Sequence, residues 1–334
     1  MTASRTEAAS GMPESGIVYV YRFLDDGTAI SLPCEQVKDA LSTRGGWAWV
    51  HMGLADARAR MWIAQHAPVS DMAREVLSGS DEHVRLDILG SEIIGVLPDL
   101  HHAFAQPAEN IVRLRFVLTE RLLITSRRTP VHSLELTRQS IETGRRFPTP
   151  IVFLDGIVDQ FADAIGRLSE TLGDQLDVAE NRLLKEELDD ERLQLGRMRL
   201  QLAQMHRQLM QLSLLFQRIE PRIAEENEQL ARAIRTLAQK LGAIDHDVAA
   251  QYERARLLLD EVAGKMAATT NRRLFTLSIL TACLLPPTLV TGVFGMNTKD
   301  LPFQDVDGGT WYALAIAASA AAAAFWLLRR LRAL

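Results

Sequence analysis

Hydrophobic positions alternate with a period of two through the first third of the chain. IVYVYRFL (Ile17–Leu24), the turn-prone DDG (Asp25–Gly27) and TAISL (Thr28–Leu32) predict a hairpin. WAWVHM (Trp47–Met52) predicts a third strand, and residues 54–78 two short helices. RLDIL, GS and EIIGVL (Arg85–Leu97) predict a second hairpin; VRLRFVL (Val112–Leu118), TER and LLITS (Leu122–Ser126) predict a third. In the last of these, Val112, Leu114, Phe116 and Leu118 share one face and Arg113 and Arg115 the other, the pattern of a half-buried strand. Residues 131–145 predict a helix. Residues 1–15 are small and polar with Gly and Pro and predict disorder. Residues 16–148 are thus expected to form an α/β domain, and that stretch alone names no activity.

Beyond Pro150 the period becomes helical. Leu154, Val158, Phe161, Ile165, Leu168 and Leu172 step by four and three, as do Leu195, Met198, Leu202, Met205, Leu209, Leu212 and Phe216. Such seams predict an antiparallel helical hairpin with its connector over 149–244. EELDDE, with Glu186, Glu187, Asp189, Asp190 and Glu191, falls at the tip, and Pro221 is expected to break the second helix. From Asp245 no stop appears before Pro286. A helix over 245–294 would run about 75 Å at 1.5 Å per residue.

Two segments are uncharged throughout: Leu274–Phe294, and Trp311–Leu328 with aromatics at both ends. Each is long enough to cross a hydrocarbon core of about 30 Å. Arg272 and Arg273 precede the first; Arg329, Arg330 and Arg332 follow the second, in a basic tail over 329–334. The loop over 295–310 carries Lys299 with Asp300, Asp305 and Asp307. The positive-inside rule then puts both chain ends in the cytoplasm and the loop outside, in a bacterial-type inner membrane. The first ten residues, MTASRTEAAS, hold no apolar run, so no secretory signal is expected.

Composition narrows the classes. A net charge of -5 argues against nucleic acid as a partner. Cys34 and Cys283 are the only cysteines, one in the soluble part and one in the first span, so no disulfide framework is expected. No phosphate-binding loop, dinucleotide fingerprint, nucleophile elbow or zinc-protease motif occurs; neither an enzyme nor a bound cofactor is expected. His101-His102 is a candidate zinc contact beside its ordinary reading as surface or core histidine.

Two spanning helices cannot enclose a pathway, so a transporter of this form needs several copies around an axis. One heptad stripe of the first span reads Asn271, Leu274, Ser278, Thr281, Leu285, Thr288, Gly292 and Gly295. It is mostly small or hydroxylated, while Ile279, Leu280, Leu284, Leu289 and Val290 lie elsewhere; such a stripe also serves helix packing. It extends back through Ala267, Gly264, Asp260 and Glu253. With no charge in either span, a proton relay of carboxylates is not expected. Cation handling would fall to hydroxyl, amide and backbone oxygens, ligands that hard divalent ions accept. Acidic residues at the hairpin tip and at Asp260 would raise the local cation concentration.

The first span ends in TGVFGMNTKDLPF (Thr291–Phe303). Gly295-Met296-Asn297 there, followed by a second span, resembles the signature of the CorA superfamily of divalent-cation channels. WAWVH, RLRFVLTERLLITSRR and the length look closest to its zinc-transporting ZntB branch. The resemblance covers nearly the whole chain and implies a funnel-shaped homopentamer with the first span lining the pore. Gly295, Met296 and Asn297 would form the selectivity filter, with Asn297 contacting the metal. Gly292, Thr288, Leu285, Leu277 and Asn271 would face the pore, Leu277 and Leu285 as its apolar constriction. Leu277 sits one residue off the stripe. Thr298-Lys299-Asp300-Leu301-Pro302 replaces the acidic loop common in magnesium channels, whereas the intact GMN departs from much of the zinc branch. Zn2+ transport and a Mg2+ channel gated by cytoplasmic metal therefore both stand. The reading from another class is a membrane-anchored coiled-coil scaffold or sensor, which needs neither the loop motif nor a stripe continuing into the span.

Overall fold

The computed structural model describes residues 16–42, 45–101, 111–184, 191–225, 228–296, 302 and 308–330. The β-rich first part forms β1 (Ile17–Phe23), β2 (Ala29–Leu32), α1 (Val37–Ser42), β3 (Trp47–Gly53), α2 (Ala57–His66) and α3 (Asp71–Ser78). There follow β4 (Arg85–Leu89), β5 (Glu92–Leu100), β6 (Ile111–Leu118), β7 (Leu122–Arg127) and α4 (His132–Glu142). The helical part is α5 (Pro150–Leu184), α6 (Glu191–Ala224), α7 (Glu228–Phe294) and α8 (Gly309–Arg330). The chain divides into two units, residues 1–185 with 193–257, and residues 186–192 with 258–334.

In the first unit the strands form one sheet in the order β2-β1-β3-β7-β6-β5-β4. Only the β3–β7 pairing is parallel. The three hairpins are those the turn residues mark. In the first, Gly27 takes φ +82°, a left-handed conformation that glycine adopts without a Cβ clash. Side-chain oxygens of Asp56 and Ser70 cap α2 and α3, accepting from the backbone N–H of Arg58 and Ala73.

The sheet is covered on both faces. On one, Val50, Met52, Ile94, Val96, Val117 and Ile124 pack with Ile63 of α2 and Val76 and Leu77 of α3. On the other, aromatic rings stack across β1 and β3: Phe23 on Trp47 at 3.9 Å and Tyr21 on Trp49 at 5.4 Å. Phe153 of α5 closes on Trp49 at 4.6 Å. The indole N–H of Trp49 donates to Thr125 Oγ1 at 2.9 Å, and that of Trp47 to the Phe147 carbonyl at 2.8 Å. Double coverage corrects the expectation of a half-buried β6: Arg115, expected on a solvent face, is 1% exposed.

Three helices extend the core. Leu154, Phe161, Ile165 and Leu172 of α5 are buried, as are Leu195, Leu202, Leu209 and Phe216 of α6. Lys240 of α7 meets Asp159 of α5 at 2.7 Å, and Arg254 pairs with Asp177 at 2.6 Å and with Glu180. His206 of α6 meets Asp245 of α7 at 2.7 Å, and Ser213 donates to the Ala238 carbonyl. Contacts ascend together along α5 and α7 and in opposite senses along α6 and α7, so α5 and α6 are antiparallel. Two expectations are corrected. Pro221 does not end α6, which runs to Ala224; Ile219 and Ile223 on either side of it are buried and hold the last turn. The long helix begins at Glu228 rather than Asp245, because Ala231, Ile234, Leu237 and Leu241 form a further buried seam. Its 67 residues rise about 100 Å.

Asp99 at the end of β5 caps α4, accepting from the Ser133 backbone N–H at 3.1 Å and from its hydroxyl at 2.7 Å. Burial raises its pKa from 3.8 to about 6 against the opposing pull of these hydrogen bonds. The native state keeps this proton up to about pH 6, whereas an unfolded chain releases it near 3.8, so stability falls as pH rises across that window. Asp99→Asn removes this fall. Thermal unfolding of wild type and variant should show the wild-type midpoint dropping relative to Asp99→Asn between about pH 4 and about pH 6, and a constant difference above. Parallel curves would contradict the assignment.

Candidate functional site

In the second unit, the C-terminal part of α7 and the whole of α8 are long and apolar enough to cross a membrane. None of the most apolar window of α7 is buried within the protomer. Such a surface is stable only in hydrocarbon or against other protein.

The expected stripe follows one face of α7, whose apolar stretch is uncovered on every side. Asn271, Leu274, Leu277, Ser278, Thr281, Leu285, Thr288 and Gly292 are all exposed, as is Asp260 before them. Two shallow grooves run along this face. One is lined by Leu277, Ser278, Thr281, Ala282 and Leu285, the other by Thr281, Leu285, Thr288, Gly292 and Met296 with Leu284, Leu289 and Val293 at its walls. Leu284 and Leu289, expected off the stripe, flank it. A Cβ at Gly292 would meet nothing within 4 Å.

The hydroxyls on this face have a common orientation. Ser278 donates to the Leu274 carbonyl at 2.9 Å, Thr281 to Leu277 at 2.9 Å and Thr288 to Leu284 at 2.7 Å. Each proton is thereby spent on the helix's own backbone, and the oxygen lone pairs remain as acceptors. Waters around a cation point hydrogens outward, and acceptors such as these hydroxyl oxygens receive them.

The helix ends at Phe294. The Gly295 N–H donates to the Thr291 carbonyl at 2.8 Å and the Met296 N–H to Val293 at 3.2 Å. The negative end of the helix dipole lies at this terminus, where it favours a cation. Asn297 lies outside the described residues, so its expected contact with a metal has no geometry here. Glu186, Glu187, Asp189 and Asp190 lie outside them too, and Glu191 opens α6. His101 forms an isolated bridge with Val131. Among the described residues no three His, Cys, Asp or Glu side chains converge as metal ligands.

A sequence model of the family described as CorA-like Mg2+ transporter protein matches residues 44–330. The chain belongs to this family. Among the CorA-family relatives, the zinc transport protein ZntB of Yersinia enterocolitica is 24% identical over 96% of this chain and 97% of its own length. ZntB of Pectobacterium carotovorum is 26% identical over 96% and 98%. Of solved structures, full-length CmaX superposes with a TM-score of 0.77 over 97% of this chain and 99% of its own, at 23% identity. The CorA magnesium transporter of Methanocaldococcus jannaschii gives 0.72 over 93% and 97%, at 15% identity. These superpositions fix the CorA-type fold, an α/β domain followed by long helices and two apolar ones.

The open space at Gly292 separates folding from transport. Gly292→Leu should fold and insert normally, since nothing in the protomer opposes the side chain. Divalent-cation flux should fall by about tenfold or more, equivalent to about 1.4 kcal/mol on the barrier. Unchanged flux from normally inserted protein would remove this face from the pathway.

Proposed function

We propose that this chain is a homopentameric inner-membrane transporter of divalent cations, with Zn2+ as its cargo and the exposed face of α7 lining the axial pathway. The observation that carries the reading is that uncovered, uncharged face, whose hydroxyls at Ser278, Thr281 and Thr288 keep their oxygens free as acceptors. Lone α7 and α8 enclose nothing, so copies around an axis must bring such faces together. Both termini lie in the cytoplasm, as the arginines flanking the spans require.

The face offers no thiolate or imidazole, the ligands that bind Zn2+ tightly. The ion therefore moves with water or oxygen ligands, held weakly enough to leave again. Zn2+ as cargo rests on the ZntB relatives, which match along nearly the whole chain. Mg2+ is the second reading, favoured by the intact Gly295-Met296-Asn297 and by the family's description. Weak oxygen ligation also predicts passage of Co2+ and Ni2+. In this proposal Gly295, Met296 and Asn297 form the outer filter, where an amide oxygen accepts from the waters of a hydrated ion.

Flux into liposomes holding the purified protein, comparing Zn2+, Mg2+, Co2+ and Ni2+ with and without a pH gradient, tests the function. Zn2+ uptake exceeding Mg2+ uptake is expected; the reverse establishes the second reading, and no divalent flux refutes transport. Asn297→Gly should retain assembly and lose most flux. Near-normal flux with unchanged selectivity would reduce Asn297 to a helix cap, a role glycine fills as well.

A further inference from the structure

Four arginines meet at one corner of the sheet, far in sequence from the spans. Arg85 of β4, Val96 of β5 and Arg115 of β6 lie in one register row. Arg113 shares the face of Arg115, two residues along β6, and Arg128 follows β7. The Coulombic influence of both Arg113 and Arg128 reaches Arg115. All four surround the segment between α3 and β4. Arg128 donates to the Gly79 carbonyl at 3.2 Å, Arg115 to Asp81 at 2.9 Å and Arg113 to Glu82 at 2.6 Å.

The charge there is not balanced. Arg115 is 1% exposed, and among the described residues no carboxylate pairs with it within 4 Å. Its Nε and that of Arg85 are buried without a hydrogen-bond partner. Asp81 lies 3.7 Å from Arg85 and spends its other oxygen on His83 at 2.6 Å. Among the described residues, counting Asp81 and Glu82 against four guanidiniums leaves two positive charges over. A guanidinium stays ionised, and burying one without a counter-charge costs several kcal/mol. Neutral backbone carbonyls offset only part of that.

We propose that this corner is a binding site for a dianionic phosphate group, taken up between Arg85, Arg113, Arg115 and Arg128. A phosphate carries between about one and a half and two negative charges at neutral pH, matching the excess, and its oxygens suit the guanidinium fork. It reaches Arg115 by displacing the Asp81 and Glu82 carbonyls. The segment over 79–84 has no regular secondary structure and is mostly exposed, so this displacement breaks no helix or strand. The group can come as free inorganic phosphate or as the monoester of a nucleotide.

Thermal unfolding of the full-length protein in detergent tests the site. Inorganic phosphate and AMP are titrated separately, with ionic strength held constant by sodium chloride. The expected result is a saturating rise in melting temperature with at least one of them. The lower dissociation constant identifies the source, and either order supports the site. Arg115→Met should abolish the rise without lowering the melting temperature of the ligand-free protein, since an apolar chain of similar length suits the buried position. Arg113→Gln, at a partly exposed position, should fold normally and bind at least about tenfold more weakly, which is about 1.4 kcal/mol. No rise with either ligand beyond that of chloride overturns the proposal. So does a full response in Arg113→Gln or Arg115→Met.

Discussion

Backbone hydrogen bonding along α7 is the constraint on which the other features depend. This one helix begins in a water-bathed bundle, where Ala231, Ile234, Leu237, Leu241 and Val248 face a protein core, and ends with no side of its apolar window covered. In hydrocarbon an unpaired peptide group costs several kcal/mol, so the chain has to stay helical across the change of solvent. Pro286 and Pro287 lie inside the helix and each removes a donor. The carbonyls thereby freed are those one turn back, at Ala282 and Cys283, and a membrane helix tolerates such a gap where neighbouring groups re-satisfy it. The hydroxyls of the exposed face back-bond to carbonyls one turn earlier and keep their lone pairs as acceptors.

In the proposed pathway that outward face matters through what it lacks. A charge would hold a divalent ion too firmly, and a thiolate or imidazole would hold zinc firmly; the grooves on α7 offer neither. The soluble part meets the opposite demand. Its aromatic layer of Phe23, Trp47, Trp49 and Phe153 holds α5 on the sheet, and the ion pairs of Lys240 and Arg254 fix α7 against α5. Arg254 and Lys240 are partly exposed, so these pairs contribute more to register than to stability.

Much of this was legible in the chain because it is local. DDG, GS and TER mark hairpin turns, and steps of three and four mark α5 and α6. The stripe from Asn271 to Gly292 could be drawn from a helical period alone. What the sequence concealed depends on cover by distant residues. Arg113 and Arg115 alternate with apolar positions as they would on a solvent face, yet α3 and the segment after it lie over them, and Arg115 is buried. The start of α7 at Glu228 was readable from Ala231, Ile234, Leu237 and Leu241, but Pro221 looked like the stronger signal. A proline close to a helix end disturbs few backbone bonds, so buried neighbours outweighed it.

Cysteine scanning decides whether one face of α7 lines the ion pathway. Single cysteines at Ser278, Thr281, Leu285 and Thr288, and at Ile279 and Val290 off the stripe, are placed in a background with Cys34 and Cys283 replaced. Each reconstituted protein is treated with a small water-soluble thiol reagent during Zn2+ and Mg2+ flux. If that face lines the pathway, the reagent blocks flux at Ser278, Thr281, Leu285 and Thr288 and leaves it unchanged at Ile279 and Val290. Block without helical periodicity, or confined to Ile279 and Val290, would contradict it.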